Sequence, residues 1–382
     1  MKINLRFHSV FSCLAGALAL AAAGSAQQAH EPPAATVTLD SPRDYQVVQR
    51  SSMAEGGIAI RGSADAPCDR AEARMAGAAW QPIAVSAPCA FEGRMTAKAG
   101  GWYGVEVRVL RGGEPVGGAA VEHVGVGEVF VVSGQSNSTN YGEEAQRPRT
   151  GMVATFSGTE WRLADDPQPG VQDNSTKGSF IPAFGDAMYE HYHVPIGVAS
   201  VGFGGTSVRQ WLPKGDRFHT PPSTLKSVIQ DADGEWESTG QLFDVMLERI
   251  RQLGPQGFRA VLWHQGESDA HQGAGHQIDG EEYQRLMERL IRQMRARVGW
   301  DFPWFAAQVS YRSPADTGSP EIRAAQAELW KEGVALEGPD TDRLTGDYRQ
   351  NNGTGVHMSA KGLQEHGRLW AEKVEAWLDG LQ

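Results

Sequence analysis

Val129–Val132 is an unbroken apolar stretch, Val-Phe-Val-Val, that stops abruptly at Ser133-Gly134-Gln135-Ser136-Asn137. A run this short, β-branched and free of polar alternation predicts a central strand buried on both faces of a parallel sheet. The small and polar residues at its carboxyl end then fall at the edge where open α/β sheets gather their ligands. Ser136 sits there, flanked by the carboxamides of Gln135 and Asn137, both able to donate hydrogen bonds to a substrate.

The rest of the chain changes rhythm around that strand. Beyond Gly127, apolar strand-like runs (Pro195–Val201, Arg259–Trp263, Trp304–Val309) alternate with amphipathic helical segments at 241–253, 281–298, 322–330 and 362–378. The second of these turns Tyr283, Leu286, Leu290, Ile291 and Met294 to one face, and Ser359 precedes the last as a helix cap. Alternating βα units predict a parallel sheet with helices on both faces over residues 127–382. Residues 35–126 instead alternate with a period of two, as in Tyr103–Val109, between turns such as Gly100-Gly101 and Arg111-Gly112-Gly113. That pattern predicts an all-β sandwich domain.

A chain of 382 residues accommodates both domains, and a net charge of −11 argues against nucleic-acid binding and against adhesion to an anionic membrane. Residues 1–26 have the layout of a secretory signal peptide: Lys2 and Arg6, an apolar Val10–Ala23, then Gly24-Ser25-Ala26. The apolar run is shorter than the ~20 residues a transmembrane helix needs, so the expected location is secreted or periplasmic. With Cys13 inside that signal, Cys68 and Cys89 remain, and an exported chain is expected to join them in a disulfide that stabilises by about 3 kcal/mol. Two separate buried thiols are the alternative.

A serine hydroxyl is a weak nucleophile; it needs a base, donors for an oxyanion and, usually, a group that orients the base. The base candidate is His357, in Gly355-Val356-His357 just ahead of the last helix. Donor candidates are the amide of Ser136, an amide of Gly204-Gly205-Thr206 and the side chain of Gln265, at the end of the strand finishing at Trp263. Trp161, Trp211 and Trp236 are candidate stacking platforms for a sugar, and Arg209 a candidate partner for a sugar carboxylate. His264, Glu267, Asp269, His271 and His276 crowd together in sequence but lack helical His-Glu-x-x-His spacing, so neither a metal nor another cofactor is expected.

Gly134-Gln135-Ser136-Asn137, Gly204-Gly205-Thr206, Trp263-His264-Gln265-Gly266-Glu267 and Gly355-Val356-His357 follow the block order of the SGNH hydrolases. From about Val126 onward the chain most resembles the sialate O-acetylesterase and carbohydrate esterase family six group. The resemblance implies a flavodoxin-like three-layer α/β/α domain and a cofactor-free serine hydrolase acting on an acetylated carbohydrate. It implies Ser136 as nucleophile, His357 as base, and Ser136, Gly205 and Gln265 around the oxyanion. The family's last block usually carries an aspartate three residues before the histidine, and here Thr354 stands there. Glu267 is then the expected orienting carboxylate, Asp347 the alternative, and a Ser-His dyad the remaining case. Two rivals are a non-catalytic sugar-binding protein with a decayed triad and a lipase- or thioesterase-like member of the superfamily. A histidine base with an ordinary pKa would lose activity below about pH 6.5.

Overall fold

A computed structural model describes residues 34–381; the signal-like segment 1–26 lies outside the described residues. The strand heralded by Val129–Val132 is far longer than its apolar core, running from Glu114 to Gly134. Its first half pairs antiparallel with Gly100–Arg111. Its second half pairs parallel with Ile196–Ser200 on one side and Ala260–His264 on the other. Trp304–Gln308 and Leu336–Asp340 extend the parallel sheet beyond Ala260–His264, and Val153–Phe156 extends it beyond Ile196–Ser200. The chain thus moves to opposite sides of one central strand, which creates a topological switch point at its carboxyl end.

The apolar run buries both faces because successive side chains of a strand point opposite ways. Val129 and Val131 enter one core with the helices Gln241–Gln252, Gly280–Val298 and Pro320–Lys331. Phe130 and Val132 enter the other with Ile181–Tyr192 and Ala360–Asp379. Ser359 caps the last helix by accepting from the Gly362 N–H, and Asp279 caps Gly280–Val298.

The strand-rich region ahead of residue 126 has its own core, built on Ile58, Ile60, Phe91, Val105, Val107 and Val109. Most of its strands pair antiparallel with one another. They join the parallel strands in one 14-stranded sheet, and the expected boundary at residue 126 falls inside Glu114–Gly134. The strand pairing therefore runs without a break from this region into the parallel strands. Cys68 and Cys89 are bonded to each other within this region.

Glu128 ties the two halves together. Its carboxylate is fully buried and accepts from Arg50 and Gln49 on the amino-terminal side and from Arg259 at the start of the next parallel strand. A carboxylate removed from water needs this kind of complete pairing.

Candidate active site

Gly134 ends the central strand in a conformation reserved for glycine, at φ +127°. A Cβ there would lie 2.1 Å from the carbonyl oxygen of His264, so glycine is what lets the two central strands finish side by side. The chain then turns once through Ser136–Ser138. The Ser138 hydroxyl donates to the Gln135 carbonyl and the Thr139 hydroxyl to the Ser136 carbonyl, which fixes the turn. As the first residue of that turn, Ser136 has an amide with no acceptor inside it.

Ser136, Gly205, Glu267 and His357 line one cleft of about 480 Å³ at the carboxyl edge of the sheet. The nucleophile turn and the base loop are stitched together directly. Asn137, next to Ser136, donates to the carbonyl of Val356, next to His357, at 3.3 Å. The Glu143 N–H donates to the Met358 carbonyl at 2.9 Å. Buried Arg349 braces the same loop by donating to the carbonyls of Val356, Leu344 and Thr341. No hydrogen bond joins Ser136 and His357 in this resting arrangement; such bonds often tighten only with substrate in place.

Gly205 sits at φ +70° with open space where a Cβ would point. Its turn is held by Asp173, which accepts from the Gly204 N–H at 2.7 Å. Gly205 thus lines the cleft with no side chain to obstruct its backbone.

Both candidate orienting carboxylates are engaged with other partners. Glu267 lines the cleft, but its Oε1 accepts from Asn137 at 2.9 Å and lies 3.7 Å from Nδ1 of His264. Burial pushes its pKa up to about 7. Asp347 is exposed and, among the described residues, its carboxylate pairs only with Lys361. Among the described residues no hydrogen bond or ion pair joins either carboxylate to the His357 ring. The ring instead meets the side-chain amide of Gln350, whose Nε2 lies 2.9 Å from Nδ1, and stacks on Tyr141 with centroids 5.0 Å apart. Burial, then the positive charges of Arg349 and Lys177, lower the His357 pKa to about 4.

Gln265 also departs from expectation. It is fully buried, and its Nε2 donates to the Thr206 carbonyl and to Asp269, which uses both protons. Gln135 is the free amide. Its Oε1 accepts from the Ser268 N–H at 2.9 Å, while its Nε2 has no acceptor among the described residues and Gln135 lines the cleft.

Arg209 and Trp211 belong to the interior. Arg209 is fully buried, donating to Ser207 and to the carbonyls of Thr220 and His276, with Asp269 beside it. Trp211 is fully buried, donates to Thr206 and packs edge-on against Trp263. Trp161 stacks on Phe156 in the core. The acidic and histidine cluster disperses: Asp269 accepts from Ser207, Val208 and Gln265, His264 meets Thr341, His271 the Ser310 carbonyl, and His276 the Pro221 carbonyl. The cation that does line the cleft is Arg312, exposed and without an ion pair among the described residues; its Tyr-Arg-Ser setting carries no pattern that would single it out.

Residues 126–376 match a family model described as carbohydrate esterase, sialic acid-specific acetylesterase. A probable carbohydrate esterase from Arabidopsis thaliana is 27% identical over 181 residues, which is 44% of this chain and 63% of that protein. The crystal structure of a carbohydrate acetylesterase from Xanthomonas citri superposes with a TM-score of 0.56 at 20% identity, covering 88% of this chain and 75% of the other. That likeness extends through the strand-rich region and speaks for a shared fold.

Proposed function

Since this chain belongs to the carbohydrate esterase family of sialic acid-specific acetylesterases, we propose that it is an exported serine esterase that removes O-acetyl groups from a sugar. Ser136 Oγ attacks the acetyl carbonyl while His357 Nε2 takes its proton. The oxyanion is held by the amides of Ser136 and Gly205, with the Gln135 carboxamide as third donor in place of Gln265. The imidazolium returns the proton to the departing sugar alcohol, and water attacks the acetyl-enzyme with His357 again as base. Export rests on the layout of residues 1–26.

The observation that carries this reading is the Asn137-to-Val356 hydrogen bond, which joins the residue after the serine to the residue before the histidine across 219 positions. The cleft lining also favours a sugar over a lipid: Gln135, Ser223, Thr224, Ser268, Gln272 and Arg312 are polar. Acetate release from a panel of O-acetylated sugars, acidic and neutral, is the test. Sugar binding without acetate release would favour the decayed-triad alternative.

Two measurements refine it. A base with a lowered pKa stays neutral to lower pH, so the acidic limb of kcat/KM is expected near pH 4 and not near 6.5; a limb at 6.5 would mean that the ring is solvated as in a free histidine. Arg312→Ala is expected to raise KM roughly tenfold for acidic acetylated sugars, with kcat unchanged and neutral sugars unaffected, as for one lost charge-assisted hydrogen bond at the rim. Equal effects on both sugar classes would remove Arg312 from recognition of charge.

A further inference from the structure

We infer that Gln350 is the positioning residue for the base: its amide oxygen accepts the Nδ1 proton of His357 and so leaves Nε2 bare to take the proton of Ser136. The inference rests on the roles of Ser136 and His357 proposed above and supplies what Thr354 cannot. Thr354 is exposed and turned away, its hydroxyl donating to the Asn351 carbonyl.

The local chain is built to hold these two side chains together. Arg349 and Met358 form a bridge, the Gln350 N–H donates to the His357 carbonyl at 3.0 Å, and the Gly355 N–H donates to the Gln350 carbonyl at 3.0 Å. Between them the backbone makes a left-handed run, with Asn351 at φ 56°, Asn352 at φ 55° and Gly353 at φ +87°. Asparagine and glycine are the residues that tolerate such a run. The doubled-back loop brings residue 350 opposite residue 357. At Gly355 a Cβ would lie 2.4 Å from Cγ of Gln350, so the glutamine side chain crosses space that only a glycine leaves empty. Tyr141 covers the imidazole as a stacked ring, and the ring has no carboxylate partner among the described residues. The groups facing it are Gln350 and Tyr141, both neutral, and the charges of Arg349 and Lys177.

The amide nitrogen Nε2 is the atom placed 2.9 Å from Nδ1; nitrogen and oxygen exchange places by a half-turn of the amide, and proton inventory sets the direction. If its NH₂ donated to Nδ1, the ring proton would sit on Nε2, and the imidazole could not accept from a serine there. With its oxygen toward Nδ1, the ring donates and Nε2 carries the lone pair. Among the described residues neither terminal atom of the amide has another hydrogen-bond partner, so the half-turn that brings its oxygen to Nδ1 breaks no other bond.

The test uses the full chain, acetate release and nitrogen NMR of the histidine ring. In the unmodified enzyme the neutral His357 is expected as the Nδ1–H tautomer. Gln350→Leu is expected to lower kcat roughly 10- to 100-fold with KM nearly constant, and to shift the ring to Nε2–H. Gln350→Glu is expected to keep kcat within about threefold and move the acidic limb of kcat/KM up by about one pH unit or more, because an anion now faces the ring. An Nε2–H tautomer in the unmodified enzyme, or an unmoved limb in Gln350→Glu, would overturn the inference even if Gln350→Leu failed to fold. His357→Ala separates the two claims: if it retains activity, the catalytic reading of the site falls, whereas loss there beside an indifferent Gln350→Leu sinks Gln350 alone.

Discussion

Ser136→Ala is expected to lower kcat for acetate release by at least about 10⁴-fold, because a nucleophile removed from a unit of mutually dependent groups takes nearly all of the unit's contribution with it. The fold should be untouched. Ser136 is nearly buried, but its hydroxyl carries no hydrogen bond among the described residues; the turn is held by Ser138 and Thr139. Thermal unfolding within a degree or two of the parent, beside the kinetic collapse, would separate chemistry from stability. Residual activity above about one per cent would mean that another group attacks the ester.

The largest stability effect is expected far from the cleft, at Glu128→Ala. That change strips the common partner from Arg50 and Arg259 and leaves Arg50, only 3% exposed, as an uncompensated interior cation. Breaking a buried pair from one side costs roughly 3–5 kcal/mol, which corresponds to a fall in Tm on the order of 10 °C for a domain of this size. Replacing all three by apolar residues, with Arg50→Met, Glu128→Leu and Arg259→Met, should recover much of the loss, because the interior charge is then gone altogether. A fall of under about 2 °C for Glu128→Ala would show that water reaches the arginines and that the junction is held by the sheet alone.

Where burial is encoded locally, the chain could be read directly. Val129–Val132 gave its strand and both of its faces, and Tyr283, Leu286, Leu290, Ile291 and Met294 gave one face of a helix, because strand and helix periods dictate which side chains turn inward. Ser136 and His357 were legible as candidates from their blocks, and the structure brings both to one cleft. Arg209 and Trp211 misled because an arginine and a tryptophan beside a glycine turn look like surface recognition. Their burial depends on Asp269 and Trp263, which are distant in sequence. Gln265 misled for the same reason, its protons being taken by Thr206 and Asp269.

The change of rhythm near residue 126 marks a change of pairing partners along one strand and not the end of an element. Gly127 is a close-approach position there: a Cβ would lie 1.8 Å from the Pro195 carbonyl oxygen. Gln350 was invisible as a partner of His357 because seven positions separate them, and contact arises only through the left-handed turn. Asn351-Asn352-Gly353 was the available signal for that turn.

The central claim is a covalent one: the acetyl group passes through Ser136. Rapid quenching during turnover of an activated acetyl ester, followed by peptide mapping, tests it most directly. The account predicts the mass of one acetyl group on the peptide carrying Ser136, absent in Ser136→Ala and longer-lived in His357→Ala if that variant acylates at all. Steady acetate release with no acetylated Ser136 peptide at any quench time, under conditions where deacylation is rate-limiting, would contradict it.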